Sequence, residues 1–222
     1  MEGIGVERCA GSVGGAVRER DGGERADHVG RARRLATDEE ARARRQRALA
    51  LVGAVSRPGA AYGAADELVK SADDEAKQMS AARDEREREE LATAMGAGGT
   101  GKGAAGATRG SAGVLKDLER RQKSRATRTG RDALDRALID VAGVYRDALA
   151  VRFGAARNGS GITLTHPDMS DQIHDLADRV RPEGLLRSIE AVLTCREALA
   201  FNVKPRFALA AMVATLISAQ TA

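Results

Sequence analysis

At 222 residues the chain has room for one or two small domains. With 2% aromatic residues and no tryptophan, any core must be built from Ala, Leu, Val and Ile, which favours helices in small-residue contact. The 36 Lys and Arg against 32 Asp and Glu leave a net charge of +4, and a pI near 9.4 on such mixed charge points only weakly toward nucleic acid. Cys9 and Cys195 lie far apart without a C-x-x-C partner, so neither a zinc site nor a disulfide framework is expected, and a reduced cytoplasmic setting follows.

In chain order, residues 1–27 show irregular glycines and no sustained period, and are expected to be poorly ordered. Thr37 and Glu40 in "TDEE" match a capping box, and "EEARARRQRALALVGAV" continues as a helix with acids in its first turn. "SRPG" at 56–59 stops it. A second helix is predicted from about Gly63 to Met95. Leu68, Val69, Ala72, Ala76 and Met79 share its apolar side, and "AARDEREREE" forms a solvent-exposed extension held by i,i+4 pairs. A glycine-rich linker then occupies residues 97–113.

Beyond the linker, residues 114–222 form a helical bundle. Leu134, Leu138, Val141, Tyr145 and Leu149 recur at steps of three and four, the signature of an amphipathic helix that "RNGSG" at 157–161 ends. Asp168 or Ser170 caps the next helix, with Ile173, Leu176, Ala177 and Val180 inward. Pro182 starts another, whose buried side is Leu185, Leu186, Ile189, Val192, Leu193 and Leu199. After a turn at Lys204-Pro205, "RFALAAMVATLI" is apolar on nearly every face, as in a helix central to its own bundle or pressed against another chain. The apolar run at 207–217 is too short to span a bilayer, and the N-terminus has no signal-peptide h-region.

Chemistry is sparse. "GAGGTGKGAAG" at 96–106 places Gly96, Gly101 and Lys102 as a phosphate loop would, but Gly103 stands where Ser or Thr must bind Mg²⁺. The preceding charged stretch is no strand, so the segment reads as a linker. His28, His166 and His174 have no metal-ligand spacing, and Cys195 lies mid-helix as a small hydrophobe. No catalytic residue, metal site, cofactor or small-molecule substrate is expected. The basic run "KDLERRQKSRATRTGR" at 116–131 puts Arg121, Arg125 and Arg128 near one face. Such a face contacts phosphate, as in a free-standing basic helical nucleic-acid-binding protein, or is a solvated helix shoulder or salt-bridged to a partner; the absence of aromatics to stack on bases favours the latter two.

Two stretches together resemble a known family. "HVGRARRLATDEEARARRQRALAL" at 28–51 is similar to the segment closing the AAA+ lid of bacterial DNA polymerase III delta-prime subunits. "LKDLERRQKSRATRT" and "REALAFNVKP", within residues 114–218, resemble that family's C-terminal collar domain. The resemblance implies an all-α chain: a lid-like helical hairpin over 28–96, the linker, and a collar-type bundle over 114–222. It implies a non-catalytic clamp-loader subunit, acting in DNA replication by collar assembly with the delta and tau/gamma subunits and reaching DNA only through the complex. Leu193, Phe201, Phe207, Met212 and Leu216 are then the expected subunit contacts, with Arg121, Arg125 and Arg128 as a polar surface. The family's N-terminal AAA+ module has no counterpart in residues 1–27, and Arg31 sits one residue from the sensor-2 register, so the chain reads as a shortened delta-prime that takes no nucleotide.

Overall fold

The structure is a computed structural model and describes residues 33, 35–95, 104–155 and 163–221. Residues 1–27, His28, Arg31, the 96–103 part of the glycine loop and the 157–161 stop lie outside the described residues. All described secondary structure is helical: α1 (Glu39–Ala54), α2 (Pro58–Ala94), α3 (Ala104–Arg152), a 3-10 turn (Pro167–Met169), α4 (Ser170–Arg179), α5 (Pro182–Ala200) and α6 (Pro205–Thr221). The linker predicted over 97–113 is thus helical from Ala104 onward, as the N-terminal turns of α3. No described helix is long and apolar enough to cross a membrane.

Local signals set most boundaries. The chain's four prolines, Pro58, Pro167, Pro182 and Pro205, each open a helix, where a missing N–H costs nothing and a fixed φ helps. Pro58 therefore begins α2 five residues before the expected Gly63. The cap of α1 is Asp38 rather than Thr37: the Asp38 carboxylate accepts the Ala41 N–H at 3.0 Å, while the Thr37 hydroxyl donates back to the Arg33 carbonyl. Neither Asp168 nor Ser170 caps α4, which is entered from the 3-10 turn with no side-chain cap. α3 ends at Arg152, closed by Gly154 at φ 67°, with the Gly154 and Ala155 N–H groups donating to the Val151 and Ala150 carbonyls. α5 ends in the same motif, but the left-handed residue is Asn202 at φ 64°, with the Asn202 and Val203 N–H groups donating to Leu199 and Ala198.

The chain divides into two units, 1–44 and 45–222. In the described part of the first, Arg42 donates to the Leu35 carbonyl at 2.9 Å, and Arg44 pairs with Glu40 at 3.1 Å. In the second, α2 and α3 run antiparallel, with Arg136 reaching Glu75 near one end and Arg125 reaching Glu87 near the other. α3 packs on α5, α5 on α6, and α6 returns to α2, closing a ring of four helices; α4 lies on α3. α5 runs against α3 through Arg131 to Asn202 at 2.6 Å and Arg196 to Asp135 at 2.7 Å. Gly184 lets α5 and α6 approach closely, since a Cβ there would run into the Ala219 carbonyl oxygen.

The core inside this ring is aliphatic. Leu134, Leu138, Val141 and Tyr145 of α3, Ile173 and Leu176 of α4, Leu185 and Val192 of α5, and Leu209, Met212 and Leu216 of α6 are all buried together. Each such aliphatic side chain contributes about 1.5–3 kcal/mol when fully buried. This core takes in α2 only from Ala61 to Ala72 and α3 only from Ala133 to Ala148. Lys77–Ala94 and the first half of α3 run on past it as a two-helix arm, roughly 27 Å long at 1.5 Å per residue. Met79, expected inside, lies on this arm and is 64% exposed.

Candidate functional site

Three places in the structure gather chemistry: the α5–α6 turn, the α2–α3 arm, and a buried histidine beside α3.

At the α5–α6 turn, the left-handed Asn202 holds the chain so that Phe201 and Val203 flank it, and Phe207 follows within the first turn of α6. Arg131 anchors the Asn202 side chain to α3. Phe201 is 82% exposed and Phe207 65%, which puts two aromatic rings in solvent around this one turn; the chain's third phenylalanine, Phe153 just past the end of α3, is exposed as well. Leu193 and Leu186, expected on the buried side of α5, also face out. Their spacing of seven places them in one stripe, with the buried stripe carried by Leu185, Val192 and Leu199 one residue away. Of the five expected subunit contacts, Leu193, Phe201 and Phe207 lie on the surface. Met212 and Leu216 do not: at 2% and 0% exposure they belong to the chain's own core, because α6 turns its large side chains toward α2, α3 and α5 and leaves mainly Phe207, Ala211 and Ala214 outward.

On the arm, the three expected arginines separate. Arg125 is half-buried and clamped by carboxylates of α2, with Nη2 2.7 Å from Glu87 and 2.5 Å from Asp84. Hydrogen bonds from Arg125 and then Arg83 pull the Glu87 carboxyl down to about 2, and the same pairing raises Arg125. Gln122 donates beside it to the Asp84 carbonyl at 3.0 Å. The charged tail of α2 is therefore the docking strip for α3, as well as a set of local pairs such as Arg83 with Glu87. Arg121 and Arg128 point outward with Arg120, Lys116 and Lys123. Arg120, Arg121, Ser124, Arg125, Arg128 and Thr129 line an open depression of about 550 Å³.

The third place was not foreseen. His166, just before the 3-10 turn, is buried with one ring nitrogen 3.4 Å from Asp140 and the other 3.4 Å from Asp147. Its backbone N–H donates to Asp147 at 2.9 Å, and Arg146 donates to both Asp147 and the Thr165 hydroxyl. Burial by itself would raise Asp147, but the His166 hydrogen bonds and the nearby Arg146 charge outweigh it and hold the carboxyl below its ordinary value. Gly143 makes room for the ring, because a Cβ there would overlap the imidazole. The sequence carries a signal for this seat: Asp140, Gly143 and Asp147 fall within one face of a helix. With Arg45 forked onto Asp168 at 2.6 and 2.8 Å, the cluster fastens the 163–169 segment to α3 and α1. It holds no nucleophile, and among the described residues no cluster has the makings of a metal site. Cys195 lies inside α5, where burial pushes its thiol up to about 12 and keeps it inert.

Compared with known proteins, the chain matches no protein-family model, no curated protein and no solved structure.

Proposed function

We propose that this chain is a non-catalytic assembly subunit, and that it works by seating the α5–α6 end of its bundle on other protein chains. The observation that carries this reading is the gathering of exposed Phe201, Val203 and Phe207 about one turn, with Leu193 exposed on α5; Phe201, at 82%, is the most exposed large apolar side chain among the described residues. Aromatic residues ringed by polar surface are the usual anchors of protein interfaces. The αL turn at Asn202 and its tie to Arg131 hold Phe201 out at small entropic cost, which favours a preformed docking surface.

The resemblance of residues 28–51 and 114–218 to delta-prime subunits supplies the partners: the delta and tau/gamma subunits of the DNA polymerase III clamp loader, with this chain acting in replication as a collar-type element. Size-exclusion co-elution of the full chain with those subunits tests it. Association at micromolar concentration, lost in a Phe201→Ser/Phe207→Ser double variant that still melts like the parent, is the expected result. No association with any of them overturns the clamp-loader reading.

A further inference from the structure

We propose that the outer face of the α2–α3 arm is a sequence-independent binding surface for the phosphate backbone of a nucleic-acid duplex. Between Gly113 and Thr129, α3 carries Lys116, Arg120, Arg121, Lys123, Arg125 and Arg128 against only Asp117 and Glu119. The structure divides these cations by role. Arg125 turns inward and is consumed by Asp84 and Glu87, which fixes α3 on α2. The others stay on the solvent side, and Arg121, Lys116 and Lys123 make no ion pair among the described residues. Arg120 holds only an exposed pair with Asp117, one turn back, and Arg128 rests on the Ser124 hydroxyl at 3.2 Å. An exposed i,i+3 pair is weak and yields readily to a phosphate.

The shape fits a long anion. The depression around Arg121 and Arg128 adjoins a second, lined by Gly113, Val114, Lys116, Asp117 and Arg120, and the two share Arg120. Together they follow α3 for about 24 Å at 1.5 Å per residue, close to seven base-pair steps at 3.4 Å. The residue types choose the occupant. Val114, at one end of the two depressions, is exposed, but from Lys116 to Arg128 the face presents no large exposed apolar side chain, whereas a protein partner would need an apolar or aromatic anchor at the centre of its footprint. Interfaces with nucleic acid are instead polar and positively charged. Single strands are held largely by stacking on aromatic rings, and this face has none, which leaves the duplex backbone.

The inference is independent of the assembly reading and is tested on the full chain alone, by fluorescence anisotropy with a 30-base-pair DNA duplex of arbitrary sequence. With four phosphates neutralised at about 0.9 counterion each, affinity should fall about 150-fold between 50 and 200 mM salt. In an Arg120→Gln/Arg121→Gln/Arg128→Gln variant, one or two contacts remain and that fall should shrink to about three- to twelve-fold. An Arg152→Gln/Arg179→Gln/Arg187→Gln variant removes the same charge away from the arm and should keep the parental salt dependence. The proposal is overturned by an absence of binding at 50 mM salt, by equal behaviour of the two triple variants, or by poly-glutamate binding as tightly as the duplex.

Discussion

The same two helices are held together by different chemistry along their length. Where α2 and α3 face the bundle, the seam is Ala61, Ala65, Leu68 and Ala72 against Leu134, Leu138, Val141 and Tyr145, closed over by α5 and α6. Along the arm the apolar cover is slight, with Leu91, Ala92, Leu118 and Ala126 only partly covered, and the seam is written in charge: Arg125 with Asp84 and Glu87, and Gln122 with the Asp84 carbonyl. Two helices cannot bury enough apolar surface between themselves to stand alone, so the arm borrows its order from the bundle and adds ion pairs to fix its register. The bundle is built to persist and the arm to present side chains.

That contrast can be broken at the bundle first. Leu138→Ala, at a fully buried position, should cost about 2–5 kcal/mol and lower the melting temperature of the whole chain, arm included. An arm that melts separately from the bundle in the parent would contradict the borrowed-order account. Gly143→Ala drives a methyl into the His166 ring and should cost about 1–3 kcal/mol by chemical denaturation; an unchanged midpoint would mean the 163–169 segment is not fixed to α3 as drawn.

Acid distinguishes the two regions further. Asp147 is lowered in the folded chain, so its contribution is complete above the ordinary carboxylate value near 3.8 and is lost as pH falls below it. Glu87 behaves in the same sense over a wider window. Its contribution is complete above about 4.5 and disappears as pH drops through about 2, and this loss should show in the arm. Amide hydrogen exchange between pH 5 and 2.5, corrected for the intrinsic rate at each pH, should report lower protection in residues 80–94 and 113–129 before the bundle responds. Early loss in the bundle would reverse the assignment.

The smallest expected effects separate the regions by salt and by thiol chemistry. Raising salt from 0.05 to 0.5 M should speed arm exchange modestly, through screening of its partly exposed ion pairs, and leave Leu134–Ala148 unaffected. Cys195 should stay unlabelled by a thiol reagent in the native chain and react fully in denaturant, as read by mass spectrometry of its peptide. Prompt native labelling would show that α5 opens.

The all-helical fold was legible because period is a local property. Leu134, Leu138, Val141 and Tyr145 declare the inward face of α3 with no knowledge of what covers it, as Ile173 and Leu176 do for α4. The helix start at Pro182 was legible because proline's missing N–H acts on its own residue; Pro205, read from the sequence as part of a turn, opens α6 by the same rule. Faces near a boundary were less so. Leu186 and Leu193 obey a helical period as well as Leu185 and Val192 do, and only the placement of α3 and α6 decides which stripe is covered.

Sequence by itself therefore determined the helices, the aliphatic character of the core, the inert setting of Cys195 and the existence of a basic run before Leu134. Tertiary structure alone decided that Arg125 is spent on Asp84 and Glu87 some forty residues away, that Met212 and Leu216 are enclosed while Phe201 and Phe207 are not, and that His166 finds Asp140 and Asp147 across the end of α3. The reason is range: propensity, capping and amphipathic period act within a few residues, whereas the partner of a charge and the cover of an apolar face are fixed by which helices meet.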